Sequence, residues 1–171
     1  MDELTTSRLR LRKAQPGDVH AMHAVLSHPA AMRYWSTPPH TELAQTERWL
    51  EAMIAGTGDD FVVCLGEQVI GKVGLYRAPE IGYIIHPDFG GRGYATEAVR
   101  AVVDMALHHR GLAAVIADVD PRNEASLRLL ERLGFVETHR ATATIQVGDE
   151  LCDSVYLAVN SEQFLAATRT R

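Results

Sequence analysis

The residues in this chain best suited to hold an anion lie at positions 89–96, Phe89-Gly90-Gly91-Arg92-Gly93-Tyr94-Ala95-Thr96. A strand-like apolar run ends just before them and a helical pattern begins at Ala95, so a strand, a glycine cluster and a helix start come in immediate succession. Glycines let the backbone adopt positive φ and approach a ligand closely, and the unpaired amides of a first helical turn offer donors with a partial positive charge. That combination suits a phosphate or pyrophosphate, to which Arg92 can add a charge-assisted contact. A plain structural turn uses the same residue types. Two other phosphate motifs fit poorly. A Walker A loop needs Lys and then Ser or Thr after its last glycine, where this chain has Tyr94. A dinucleotide fingerprint built on Gly91 and Gly93 needs Gly or Ala where Thr96 stands, within a parallel βαβ unit, whereas the flanking strands read as a meander.

The elements that must position this turn follow from hydrophobic period. Arg8-Leu9-Arg10-Leu11-Arg12 alternates like a half-buried strand. After Pro16-Gly17-Asp18, the apolar residues Val19, Met22, Val25 and Leu26 predict a helix ending near Pro29. Two consecutive prolines make residues 34–39 a loop, and Thr41 can cap a second helix that carries Leu43, Leu50, Met53 and Ile54 and stops at Gly56. Residues 61–66, 69–76 and 81–86 read as an antiparallel meander, with a hairpin turn at Gly66-Glu67-Gln68. A helix follows over Ala95, Val99, Val102 and Ala106 to Gly111. Residues 113–119 form a short apolar run, taken as a buried strand, and a further helix runs from about Glu124 to Leu133 and stops at Gly134. Two last alternating runs, around Ala141 to Val147 and Val155 to Val159, flank a turn at Val147-Gly148-Asp149-Glu150 and give a terminal hairpin and a short tail. The reading is one α/β (α+β) domain over residues 1–171, with about seven strands in a mostly antiparallel mixed sheet and about four flanking helices.

Composition bounds the class. At 171 residues, 46% hydrophobic and 23% charged, the chain matches an ordinary globular domain and excludes disordered, collagen-like and coiled-coil classes. The first dozen residues are too polar for a signal peptide, and no run approaches the eighteen apolar residues of a membrane span, so no membrane association and a cytoplasmic location are expected. A formal net charge of -5 disfavours nucleic acid as a partner and suits a basic or neutral amine better than a polyanion. Cys64 and Cys152 lack metal-ligand spacing and read as buried free thiols, and the eight histidines show no metal pattern, so no metal is expected. The residues set no oligomeric state, and a homodimer is the commonest assembly among soluble oligomers.

Taken together, these residues resemble the GNAT superfamily of N-acetyltransferases, and within it the RimJ and RimL branch. Gly91-Arg92-Gly93-Tyr94-Ala95 matches the last defining positions of the family's Q/R-x-x-G-x-G/A cofactor motif. Asn123-Glu124-Ala125-Ser126 leading to Leu133-Gly134-Phe135 matches a second signature. The resemblance covers nearly the whole chain. It implies a GNAT-like fold with a splay between the fourth and fifth strands, and acetyl-CoA as cosubstrate. It also implies that Ile84 and Ile85 offer backbone groups to the pantetheine arm, that the amides of Gly91, Arg92, Gly93, Tyr94, Ala95 and Thr96 hold the pyrophosphate, and that Asn123 and Ser126 face the thiol end. Asn123 is equally suited to capping the helix that follows it. Two positions depart from the family: Gly90 stands where many members have Gln or Arg, and Leu130 where many carry a tyrosine general acid.

Acetyl transfer to an amine needs a neutral nucleophile and departure of a thiolate, which is a tolerable leaving group near neutral pH. Glu80, at the entrance of the strand expected to line the cleft, is the candidate base, acting directly or through water, and Ser126 the second catalytic candidate. Tyr34 and Trp35, in a proline-rich loop, are candidate walls for the acceptor. Asp153 on the last hairpin can meet the amine or be a solvated carboxylate. His86, before Pro87, reads as a turn residue, and His108 and His109 as complements of a helix C-terminus. The acceptor is a primary amine, either a protein N-terminus or a small molecule. A non-catalytic acyl-CoA sensor and a transferase for a larger acyl group such as succinyl remain the alternatives.

Overall fold

The leucine–arginine alternation near the start of the chain sorts by face as expected: in the strand Leu9–Arg12 both leucines are buried and both arginines are partly exposed. The computed structural model describes residues 3–147 and 149–169. Among these run eight strands and six α-helices. In chain order they are β1 (Glu3–Thr5), β2 (Leu9–Arg12), α1 (Val19–Leu26), α2 (Pro29–Met32), α3 (Leu43–Ala55), β3 (Asp59–Leu65), β4 (Gln68–Arg77) and β5 (Glu80–Ile85). There follow α4 (Tyr94–Asp104), β6 (Val115–Val119), α5 (Glu124–Arg132), β7 (Val136–Val147), β8 (Glu150–Val159) and α6 (Ser161–Thr168).

One sheet holds all eight strands in the order β1-β2-β3-β4-β5-β6-β8-β7, antiparallel throughout except for β5 beside β6. Helices cover both faces. On one, Val99, Val102, Leu130 and Phe164 bury against Phe61, Val73, Val115 and Leu157. On the other, Met22, Leu26 and Leu50 bury against Val62, Cys64, Val69 and Ile84. Each large apolar side chain so buried stabilises the fold by roughly 1.5–3 kcal/mol. Cys64 and Cys152 are both buried free thiols, Cys64 within the second of these clusters. Among the described residues no helix is long and apolar enough to cross a membrane.

Three elements exceed the expected seven strands and four helices. β1 has only three residues, paired as Glu3↔Arg12, Leu4↔Leu11 and Thr5↔Arg10, which is too short for a two-residue period to register. Pro29, read as a helix stop, is the first residue of α2, where its missing N–H costs nothing. α6 replaces the expected tail: Asn160 and Gln163 form a reciprocal capping box, and Phe164 alone anchors the helix in the core. β7 also starts five residues earlier than expected. Its first residues are exposed and its register shifts twice, so no alternation marks them. The expected turn at residues 147–150 includes Gly148, which lies outside the described residues; Val147 pairs with Glu150 across it.

The feature that matters most for the site is the junction of β5 and β6. Their ladder consists of the single pair Glu80↔Ile116, supported by the Ile116 amide donating to Pro79 O at 3.0 Å. Beyond that point Gly82, Tyr83, Ile84 and Ile85 pair only with β4. The strands therefore part, and this is the splay expected between the predicted fourth and fifth strands, which are β5 and β6 once β1 is counted.

Candidate active site

A cleft of about 880 Å³ occupies the gap where β5 and β6 part. Strand alternation divides β5 between its two sides. Ile81, Tyr83 and Ile85 pack toward the helices α4 and α5, whereas Ile84 packs toward α1 and α3, and by alternation Gly82 and Glu80 share its face. All six residues line the cleft.

The glycine turn sits at the rim, with Pro87 and Ala95 on either side of it contributing to the wall. Gly91 has φ 72° and Gly93 φ 79°, left-handed values that glycine adopts without steric cost. Gly93 is the N-cap of α4 and makes no side-chain cap, and Gly91, Arg92 and Gly93 are exposed. The first internal bond of the helix runs from the Glu97 amide to Gly93 O at 3.0 Å. Among the described residues, none accepts from the amides of Gly91, Arg92, Gly93, Tyr94, Ala95 or Thr96. These donors are open to solvent and to a ligand.

Arg8 braces the turn from behind. Its Nη1 donates to Arg92 O at 2.9 Å, its Nε and Nη2 meet Glu97 Oε2 at 2.7 and 2.6 Å, and its guanidinium lies 4.6 Å from the Tyr94 ring centroid. Thr6 and Ser7 hydroxyls and the Arg8 amide also donate to Glu97 Oε1. Burial works to raise the Glu97 carboxyl, but these donors hold it below the ordinary range. The one acid in the first turn of α4 is thereby tied back and neutralised, which leaves the helix end electropositive. The Arg-Leu alternation near the start marked Arg8 only as part of a strand; nothing in it pointed to Glu97.

At the other helix facing the cleft, one first-turn amide of α5 is capped. Asn123 Oδ1 accepts from the Ser126 amide at 3.2 Å as a helix N-cap, and both residues line the cleft. The Ser126 hydroxyl is hydrogen-bonded to the Tyr83 hydroxyl reaching across from β5. Burial pushes Tyr83 up to about 12, opposed by its bond to Ser126, so the phenol stays protonated through the neutral range. Leu130, in place of the usual tyrosine, is fully buried in the core. Tyr83 was missed by sequence reading because its partner lies 43 residues away.

Glu80 and Asp118 supply the acidic part of the cleft. Burial raises the Glu80 carboxyl, the neighbouring charge of Asp118 raises it further, and Arg77 opposes both. Asp118 Oδ1 is buried without a hydrogen-bond partner among the described residues. The other cleft acids are compensated: Arg122 lies 2.7 Å from Asp120 and Lys72 lies 2.8 Å from Asp60. Asp118 also escaped the sequence reading, hidden in a stretch read as uniformly apolar. On the outer wall, Tyr34 donates to Arg122 O at 3.2 Å and Trp35 packs against the α1–α3 core; both line the cleft.

The remaining candidates have structural partners. His86 accepts from the Asp88 amide at 3.2 Å in the turn after β5. His108 bridges Asp104 and Ser161 at 3.0 and 2.8 Å, tying the end of α4 to α6. Asp153 accepts from the Ala143 amide at 3.0 Å, on the hairpin.

Comparison with known proteins gives this geometry its context. Residues 8–136 match the family model described as "Acetyltransferase (GNAT) domain". The chain is similar to the uncharacterized N-acetyltransferase p20 of Bacillus licheniformis, with 29% identity, covering 79% of this chain and 83% of the relative. It is similar to the spermidine N(1)-acetyltransferase of Escherichia coli strain K12, with 25% identity over 95% of this chain and 91% of the relative. Its fold matches the crystal structure of spermidine N-acetyltransferase from Vibrio cholerae in complex with CoA and spermine. The TM-score is 0.79 at 23% identity, over 94% of this chain and 99% of that one.

Proposed function

The chain belongs to the GNAT acetyltransferases, and on that premise we propose that it moves the acetyl group of acetyl-CoA onto a primary amine of a small cationic acceptor. One observation carries the proposal: a single cleft joins a helix end with unpaired amides to an acid pair, Glu80 and Asp118, that forms no salt bridge among the described residues and whose Asp118 Oδ1 is buried without a hydrogen-bond partner. The first suits the diphosphate of a CoA thioester and the second suits an ammonium group.

In this reading the amides of Gly91, Arg92, Gly93, Tyr94, Ala95 and Thr96 hold the pyrophosphate, with the Arg92 side chain adding charge. The exposed turn has the open donors this requires. Ile84 and Ile85 line the parted strands where the pantetheine arm would run, and Asn123 and Ser126 face its thiol end. Acetyl-CoA, when bound, supplies the thioester carbonyl. Glu80 takes a proton from the acceptor ammonium, directly or through water, and its raised pKa brings it closer to the operating pH of a base. The freed nitrogen pair forms the N–C bond, the C–S electrons leave with sulfur as CoA thiolate, and the second proton of the attacking nitrogen passes through water to that thiolate, giving the neutral amide and CoA thiol. Either hydroxyl of the Tyr83–Ser126 pair can donate; in this reading Tyr83 is the donor during transfer, which turns the serine proton toward the departing thiolate. Tyr83 itself keeps its proton, since a phenol near 12 is far weaker than a thiol at roughly 8.5. Tyr34 and Trp35 wall the acceptor side.

The spermidine acetyltransferase relatives support a small amine as acceptor. The RimJ and RimL resemblance implies a protein α-amine instead. A polyamine offers several cations to the two acids, whereas a protein N-terminus offers one, and the charge of the cleft favours the former. Acetyl-CoA at about a hundred times its Kd should stabilise the protein by roughly 2.7 kcal/mol in a thermal shift assay. Release of CoA is then measured over spermidine, spermine, aminoglycosides, amino acids and peptides with free N-termini. Small cationic amines should turn over fastest, and Ser126→Ala should lower kcat without weakening CoA binding. No thermal shift with acetyl-CoA or CoA would sink the cofactor reading, and turnover on peptides alone would overturn the small-amine acceptor.

A further inference from the structure

Most glycines in or near the sheet have a packing reason that the neighbouring atoms make plain. A Cβ on Gly71 would run into Ile84 O, and one on Gly74 would run into the Asp60 side chain and backbone. A Cβ on Gly134 would come within 2.6 Å of Gln163 O. Gly82 has no such reason. It lies mid-strand in β5, outside the positive-φ glycines, and a Cβ there would meet no atom within 4 Å. A glycine in a strand interior weakens the strand and serves a bulge or the close approach of another molecule; the extra residue of the adjacent irregularity lies on β4, between Gly74 and Arg77, and not on β5, which leaves close approach as the use of Gly82.

The surroundings of that empty space identify the other molecule. Gly82 shares a face with Glu80 and Ile84, and all three line the cleft. In the antiparallel register Gly82 stands opposite Gly74, where Asp60 takes the place a side chain would fill, so the open space lies over Gly82 itself. The next side chains along that face of β5, Glu80 and Ile84, are each two residues away, roughly 7 Å by strand rise. Trp35 and Trp49 pack on the same side of the sheet and line the same cleft. The hydroxyl pair of Tyr83 and Ser126 belongs to the opposite face of β5.

We infer that Gly82 is a specificity-determining position of the acceptor site, its missing side chain leaving the space beside Glu80 through which the reacting end of the amine passes. The inference rests on the proposed acetylation of a small amine. The α4 turn and its amides lie elsewhere on the cleft, so filling this space obstructs the acceptor rather than the diphosphate.

The test is a graded series, Gly82→Ala and Gly82→Val, assayed for CoA release with the fastest amine found for the wild type among spermidine, spermine and n-butylamine. CoA binding is measured by calorimetry and Tm by thermal melting. The expected result is a loss of kcat/KM of about tenfold for alanine and a hundredfold or more for valine, with the CoA Kd within about twofold of wild type. Tm should be unchanged or higher, because both residues suit a strand better than glycine does. A purely structural glycine would give the reverse, with Tm falling alongside activity. Wild-type turnover in Gly82→Val would overturn the inference alone. Binding of CoA by the wild type with no turnover of any amine would overturn the acetylation reading, and the inference with it.

Discussion

The two helix ends that face the cleft begin with the same physics and finish with opposite jobs. Both α4 and α5 present first-turn amides that the helix cannot pair. At α5, Asn123 closes one of those amides with its own side chain and Ser126 turns its hydroxyl toward Tyr83. At α4, the N-cap is Gly93, which has no side chain to cap with, and the acid of the first turn is pulled away by Arg8. The same contrast recurs along the cleft. Asp120 and Asp60 are matched by Arg122 and Lys72, whereas Glu80 and Asp118 form no salt bridge among the described residues. What is left unmatched, amides at one place and carboxylates at another, is what the proposed function assigns to ligands of opposite charge.

The largest effect should come from removing Glu80, the proposed base. Glu80→Gln should lower kcat/KM by about 10² to 10⁴ while leaving CoA affinity unchanged. Because burial and Asp118 raise its pKa, the acid limb of the wild-type pH–rate profile should fall above the ordinary carboxylate range and vanish in the variant. Stability should move the other way. The folded state holds the Glu80 proton longer than the unfolded chain, so the penalty of ionising it is absent at low pH and develops as pH rises through the folded pKa. Glu80→Gln should therefore melt higher than wild type at neutral pH and equally in acid. Unchanged turnover in a pH titration of this variant would remove Glu80 as the base.

Breaking the α4 end should give the next largest effect. Gly93 has φ 79°, where a β-branched residue is strained by about 1–3 kcal/mol. Gly93→Val should weaken CoA binding by roughly tenfold or more, since about 1.4 kcal/mol corresponds to a factor of ten. Calorimetry that finds CoA affinity intact would show that the turn is merely a turn.

The smallest effect is expected at α5. Asn123→Ala removes a helix cap and should cost about 1 kcal/mol of stability, lowering Tm by roughly 2–4 °C, with CoA affinity nearly preserved. A loss of CoA binding larger than the loss of stability would mean that Asn123 contacts the cofactor as well as the helix, and the contrast between the two ends would weaken.

Much of this arrangement was legible from residue order. Glycines at 91 and 93 before a helical period have few uses other than left-handed backbone, and both positions take it. Seven of the eight strands followed from alternation or apolar runs, and the β5–β6 splay followed from the family resemblance. The misses share a cause. β1, α2 and α6 carry too few core contacts for a period to show, with α6 held by Phe164. Arg8 and Glu97 are 89 residues apart, and Tyr83 and Ser126 are 43 apart; neither pair has any local signature.

By itself, the sequence determined what is local: which backbone segments bend, which face of each strand is apolar, and where a helix would begin with open amides. Those properties depend on neighbours within a few positions, so order along the chain suffices. Only the tertiary structure decided which charges find partners. Lys72 reaches Asp60 and Arg8 reaches Glu97, while among the described residues Asp118 Oδ1 has no hydrogen-bond partner and Gly82 faces empty space. Pairing and open space are properties of distance in three dimensions, and they are what separates a structural residue from one left for a ligand.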